Sequence, residues 1–247
     1  VGGATTLTAG AGIGDISLDN PLNNINNVTV ISGRDLTLKS AYNIGGVTID
    51  LPQAAGRLRD VTIAYPGATS VAIGNGASSA AVVSGDLSVI SGGSISNWSG
   101  YLSLNGASST SNFTAGGNIT LNDSRNYLGA VTVNPAKDAL SVDLYNNSGN
   151  ANLTILPTAG NLAGAITNLS LVQPNASLTL AANQVKGNLY VNNQGGTSSN
   201  NTLTVGAQTL NGSMDLRAEN GITATGDWDV HTTANLNNTS GLALGNK

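Results

Sequence analysis

The single histidine of the chain, His231, lies in "DWDVHTT", with Asp229 and Asp227 two and four residues before it. Imidazole and carboxylate together are the side chains that hold a divalent metal or relay a proton. Strand alternation, however, puts all three on one face of one strand, which makes a solvated row rather than a cage. The chain has no cysteine, so a thiolate nucleophile and a disulfide framework are both excluded. A Ser/His/Asp triad would have to use His231, and no G-x-S-x-G elbow accompanies it. The carboxylates Asp15, Asp35, Asp60, Asp86, Asp123, Asp143 and Asp215 are scattered singly. Glycan lyases and hydrolases need them clustered on one face, for calcium or for acid–base work. The reading is therefore a non-enzyme with no metal and no cofactor. A carbohydrate-active enzyme is the alternative, and it requires carboxylates a coil apart to stack.

Two groups could bind rather than react. "GRLRD" (56–60) sets Arg57 and Arg59 on one face with Leu58 turned inward, and Arg34 and Lys39 lie one or two coils earlier. Arg34, Lys39, Arg57 and Arg59 are the local candidate for an anionic glycan. The competing reading is ordinary surface charge paired with Asp35, Asp50 and Asp60. N-x-S/T occurs at Asn27, Asn97, Asn112, Asn118, Asn152, Asn168, Asn175 and Asn211. That pattern fits glycan attachment, but it is also how a strand begins in a chain this rich in Asn and Thr.

These residues sit in an unusual background. Of 247 residues only 9% are charged and 4% aromatic, whereas 32 are glycine and 40% are apolar. The apolar share suffices for a core. A net charge of −4 argues against nucleic acid, which needs a basic stripe. No apolar run approaches the roughly 18 residues of a membrane span, and no signal peptide opens the chain. The start, "VGGATTLTAG", reads as the middle of a pattern, so 1–247 is taken as one segment of a longer chain.

The elements that position these groups are strands. Val, Ile or Leu, then Ser or Thr, then Val, Ile or Leu occurs 14 times, as in Val28-Thr29-Val30, Val61-Thr62-Ile63 and Val131-Thr132-Val133. Shuffling this composition gives about three. Such triplets are half-buried strands with the hydroxyl outward. Nothing holds a helical apolar pattern for three turns without Gly or Asn interrupting it. Five stretches, beginning at Val83, Trp98, Tyr127, Val185 and Leu210, read hydrophobic, any residue, Gly, any residue, hydrophobic–polar–hydrophobic. The glycine is expected at a corner between two faces, with Tyr127 and Val131 both inward and Thr132 and Thr120 outward. Triplets recur most often near every 11 residues, and two per turn give coils of roughly 20 to 25, which is a solenoid period. The expected fold is an all-β, right-handed parallel β-helix of about eleven coils, a rod near 50 Å long.

Stretches such as "NYLGAVTVNPAKDALSVDLYNNSGNANLTIL" (126–156), "NFTAGGNITLNDS" (112–124) and "ISGRDLTLKSAYNIGGVTI" (31–49) resemble the repeats of filamentous-haemagglutinin-type adhesins of the two-partner secretion route, and share the texture of autotransporter passengers. The resemblance implies a β-helical shaft secreted by, or displayed on, a Gram-negative bacterium. It further implies an outer-membrane secretion partner for the full-length chain, and host-cell or surface glycans as ligands. A purely structural, self-associating filament is the other non-enzymatic alternative.

Overall fold

Alternating Val/Leu/Ile with Ser/Thr cannot bury both faces of a strand, so each strand needs an apolar neighbour above, below and across. Coiling the chain on itself supplies all three. The computed structural model describes residues 3–42, 44–53, 58–137, 140–149, 152–156, 166–182, 184–197 and 200–239. Among them there is no helix, and every strand pairing is parallel. No described helix is long and apolar enough to cross a membrane.

One eleven-stranded sheet runs the length of the stack: β1 (Ala4–Thr8), β3 (Asn27–Ser32), β5 (Gly46–Asp50), β7 (Ser70–Gly74), β10 (Ser94–Asn97), β13 (Ile119–Leu121), β15 (Ser141–Tyr145), β17 (Asn168–Val172), β19 (Leu189–Asn192), β22 (Met214–Ala218) and β25 (Ala234–Asn238). A second face holds seven strands: β2 (Ile16–Leu18), β4 (Leu36–Lys39), β6 (Val61–Tyr65), β9 (Leu87–Ser91), β12 (Thr110–Ala115), β14 (Ala130–Pro135) and β16 (Leu153–Ile155). Shorter sheets close the remaining faces: β8 (Ala80–Val83) with β11 (Tyr101–Leu104), β18 (Leu178–Leu180) with β20 (Leu203–Val205) and β23 (Ile222–Ala224), and β21 (Gln208–Leu210) with β24 (Trp228–Val230). The fold is a parallel β-solenoid. Its coils run from 19 residues (Leu203 to its partner Ile222) to 27 (Val142 to Leu169).

The triplets are the core. Every one lies in a strand or begins one residue before it, and every outer apolar member except Leu18 is buried. Across the long sheet, Val47, Val71, Ile95, Ile119, Val142, Leu169, Leu189 and Met214 stack in register, each at most 1% exposed. Burying each aliphatic side chain contributes about 1.5–3 kcal/mol, which repeats once per face per coil.

Few rings fit inside. Phe113 and Tyr65 are the largest fully buried side chains, and Tyr65 has Ser91 as its neighbour in register one coil on. Burial pushes the Tyr65 phenol up to about 12, from an ordinary 10. Because the unfolded chain ionises first, the stability this neutral phenol contributes is intact below pH 10 and is lost as pH rises from 10 towards 12. Denaturation midpoints should therefore fall across that window, and Tyr65→Phe should flatten the fall. An equal fall in the Phe variant would put the alkaline sensitivity elsewhere.

The five glycine corners divide into two kinds. Gly129 (φ 65°) and Gly100 (φ 81°) are left-handed. Gly85, Gly187 and Gly212 are not, and are needed for closeness instead: a Cβ there would lie 2.1 Å from Asp60 Oδ1, 2.7 Å from Thr167 O and 2.3 Å from Asn188 Oδ1. The difference changes which residue points in. Val83, Val185 and Leu210, before the three glycines that are not left-handed, are buried, as expected. Tyr127 and Trp98, before the left-handed ones, turn outward, with 44% and 36% of their surface exposed. Leu128 takes the inward place expected of Tyr127. Val131 is buried, Thr120 exposed and Thr132 half-buried between its neighbouring rungs.

Candidate binding surface

The residue before each strand of the second face occupies one corner of the coil. In four successive coils that residue is an aspartate: Asp15, Asp35, Asp60 and Asp86, ahead of Ile16, Leu36, Val61 and Leu87, which pair in register. The carboxylates thus stack, which is the one arrangement of scattered carboxylates that the sequence left open. Three of them accept a backbone N–H of the next coil. Asp60 Oδ1 accepts the Asp86 N–H at 3.0 Å, and Asp86 Oδ1 accepts the Thr110 N–H at 2.8 Å, so each rung ties down the next.

Arg34 and Arg59 interleave with this row. Arg34 donates through Nε and Nη2 to Asp15 at 2.8 and 2.6 Å, and Arg59 does the same to Asp35 at 3.0 and 2.6 Å. Arg59 also lies 2.9 Å from Asp60. The Arg34 guanidinium beside Asp15 holds its carboxyl below the usual range, and both guanidiniums are raised by their carboxylate partners. Such exposed pairs are screened by solvent and add little stability. They do set the local charge: among the described residues four carboxylates stand against two guanidiniums, so this part of the ladder carries a net negative charge.

Arg34 and Arg59 also line a shallow groove of about 420 Å³, with Leu58, Val82, Ser84 and Asn105. Leu58 is fully buried, as expected. Lys39 is not part of this group. It ends β4, four residues beyond Asp35 and hence about 13 Å along the strand. Arg57 lies outside the described residues. The sequence therefore located Arg34 and Arg59 together and named two of their partners, Asp35 and Asp60, which pair with Arg59 at 2.6 and 2.9 Å; it missed Asp15, 19 residues from Arg34, and Asp50 pairs with neither.

His231 and Asp229 approach to 3.5 Å, and both are exposed, as is Asp227. No group of three or more His, Cys, Asp or Glu with metal-holding geometry occurs among the described residues. Several N-x-S/T asparagines are engaged between coils. Asn118 accepts the Ser141 N–H, Asn168 accepts the Asn188 N–H, and Asn175 accepts the Thr197 N–H and donates to Asn147 O. Their side-chain amides serve as rungs between coils.

One feature of the surface escaped the sequence reading: the corner joining the long sheet to β8 and β11. Trp98, Tyr101 and Tyr127 gather there, with Arg125 held over the Tyr101 ring at 4.7 Å and paired to Asp123 at 2.7 Å. The signal in the sequence was the two aromatic residues in the hydrophobic slot of the glycine motif.

The family model of repeats of unknown function (DUF5649) matches residues 1–32, 58–134 and 196–247. The chain belongs to this family. No curated protein and no solved structure matches it. The DUF5649 stretches hold the Asp15–Asp60–Asp86 rungs, Arg59 and the whole aromatic corner, whereas Arg34, Lys39 and Arg57 fall between them.

Proposed function

We propose that this DUF5649 segment is part of the rigid shaft of a bacterial surface-displayed or secreted adhesin, with no catalytic activity of its own. The observation that carries this reading is the unbroken eleven-stranded sheet, which makes the segment a rod of stacked coils rather than a globule around a cleft. Each coil covers the edge of the next, so length is added without new exposed edges. The outer surface supports the reading too. Ser17, Thr37, Thr62, Ser88, Asn112, Thr132 and Thr154 form one row along the second face, a flat run of hydroxyls and one amide spaced by about 4.8 Å. Such a face gives many weak hydrogen bonds, and it binds extended or multivalent partners, host-cell or surface glycans among them, through avidity. In the full-length chain a Gram-negative outer membrane and a dedicated secretion partner deliver the shaft. The negative ladder leaves Arg34, Lys39, Arg57 and Arg59 a minor, salt-sensitive contribution to sulfated glycans.

The test is to coat beads with the segment and measure retention on cells and on immobilised heparin. Retention on cells should rise steeply with coating density. Heparin retention should be weak, should fall with salt, and should fall further in an Arg57→Ser/Arg59→Ser variant. Cell retention no better than that of an inert protein at every density would end the adhesive part of the proposal.

A further inference from the structure

The aromatic corner is built differently from the other corners of the rod. Three of the nine aromatic residues lie in two successive coils here: Trp98 just after β10, Tyr101 at the start of β11, and Tyr127 paired with Ser103 of β11. The Asn97 and Asn126 side chains, next to Trp98 and Tyr127, are hydrogen-bonded to each other at 3.2 Å, and the Tyr127 N–H donates to Leu102 O, beside Tyr101. The indole of Trp98 rests on Gly76: a Cβ at position 76 would lie 3.0 Å from its Cη2 and 3.2 Å from Asp50 Oδ2. The ring is thus seated on bare backbone beside a carboxylate. Two non-glycine residues with positive φ, Ser78 (59°) and Ser99 (32°), flank it, with their hydroxyls 3.0 Å apart. Strained residues of this kind persist where the surroundings hold them, and they gather at ligand sites.

The corner continues into a concavity. Thr29 and Asp50 pair in register, as do Asp50 and Gly74, and Trp98 follows Asn97, the partner of Ile73. Thr29, Asp50, Gly74 and Trp98 therefore form one row parallel to the rod axis. Beside the first two rungs lies a cleft of about 350 Å³, whose walls include Ile31, Pro52, Gln53 and Asn75. Ile31 is 52% exposed there.

We infer that this row is a binding track for a neutral, linear polysaccharide lying along the rod axis, with Trp98 as stacking platform and Asp50, whose Oδ1 already accepts the Gly76 N–H at 2.9 Å, offering Oδ2 as acceptor for sugar hydroxyls. A pyranose ring has an apolar C–H face and a rim of hydroxyls. That matches an exposed aromatic face ringed by Asp, Asn and Ser, as stacking on a π-face tolerates many ring ligands. The rise of one coil, about 4.8 Å, is comparable to the length of one sugar unit, so successive coils meet successive rings. A protein partner would need a contiguous apolar centre, and here the rings are separated by polar side chains. An anionic polymer is disfavoured. Arg125 already faces Asp123, and Asp50 has no cationic partner among the described residues. The site is separate from the arginine ladder and does not depend on display at a cell surface.

Affinity electrophoresis of the purified segment through gels containing xylan, galactomannan, mixed-linkage β-glucan or heparin tests it. A neutral polymer should retard the protein equally at low and high salt. Trp98→Ala should weaken that retardation by about tenfold, whereas Tyr127→Ala, on the neighbouring face beside Ser103, should leave it unchanged. Both side chains are exposed, so circular dichroism and melting should stay as in the parent. Trp228→Phe, which removes an indole bound to Gly206 O away from the corner, should leave retardation unchanged and make Trp98 the sole tryptophan, so that its fluorescence excited at the red edge reports binding. Retardation by none of the neutral polymers, or retardation that survives Trp98→Ala, overturns the inference. Retardation by heparin alone, abolished by salt, also overturns it and moves recognition to the arginines.

Discussion

Val133→Asp should unfold its part of the rod, lowering stability by roughly 3–5 kcal/mol, whereas Thr132→Lys beside it should cost less than about 0.5 kcal/mol. Val133 is fully buried in β14, with Phe113 and Ile155 as its partners in register one coil to either side. A carboxylate there has no cation within the stack and no water to solvate it. Thr132 points the other way, between Asn112 and Thr154 on the outer row, and a lysine stem can lie along that row with its charge in water. Urea denaturation followed by circular dichroism separates the two. Similar midpoint losses would mean that the inward and outward sides of β14 are assigned wrongly.

Asn126→Leu should be nearly as damaging, although it adds apolar volume to a buried position. Asn126 is fully buried, accepts the Leu102 N–H at 2.9 Å, and donates to Leu121 O at 3.0 Å and Asn97 Oδ1 at 3.2 Å. Leucine leaves a buried donor and a buried acceptor without partners, a loss of roughly 2–5 kcal/mol. Asn146 does the same work one coil on, accepting the Leu128 N–H and donating to Gly129 O. Hydrogen exchange gives the more specific readout. The Leu102 amide should lose its protection in the variant while amides several coils away keep theirs, since each coil contacts mainly its neighbours. Unchanged protection at Leu102 would show that the corner asparagine is not its partner.

These two positions also show how far the residues could be read before the fold was known. Val133 is legible because alternation is a property of three consecutive residues. Whatever lies above or below, Val131-Thr132-Val133 has two apolar side chains on one side and a hydroxyl on the other, and the same holds for every triplet. Period then follows from the spacing of triplets, and a parallel coil from the period together with the scarcity of rings and helices. Asn126 is not legible in this way. The chain is crowded with asparagine, and turn preference describes them all as corner residues. Which of them is buried depends on the carbonyl and amide that the coil below presents at that corner.

The same limit applies to the charged and aromatic groups. Arg34 and Arg59 read as cations on one side of a rod, and they are; their bidentate carboxylates come from residues 19 and 24 positions away. Because coils range from 19 to 27 residues, one residue more in an intervening turn would rotate a different side chain into the place of Asp15 or Asp35. Tyr127 and Trp98 occupy a slot that is inward at Val83, Val185 and Leu210, and they turn outward because the glycine two residues on takes a left-handed φ in those two corners and not in the others. Local composition thus settled the strands, the core and the repeat of this chain, since side-chain alternation and turn chemistry act within a few residues. The neighbours of each corner residue, and so the sign of the arginine ladder and the open faces of the aromatic corner, depend on coil-to-coil register, which is the sum of turn lengths spread over the whole rod.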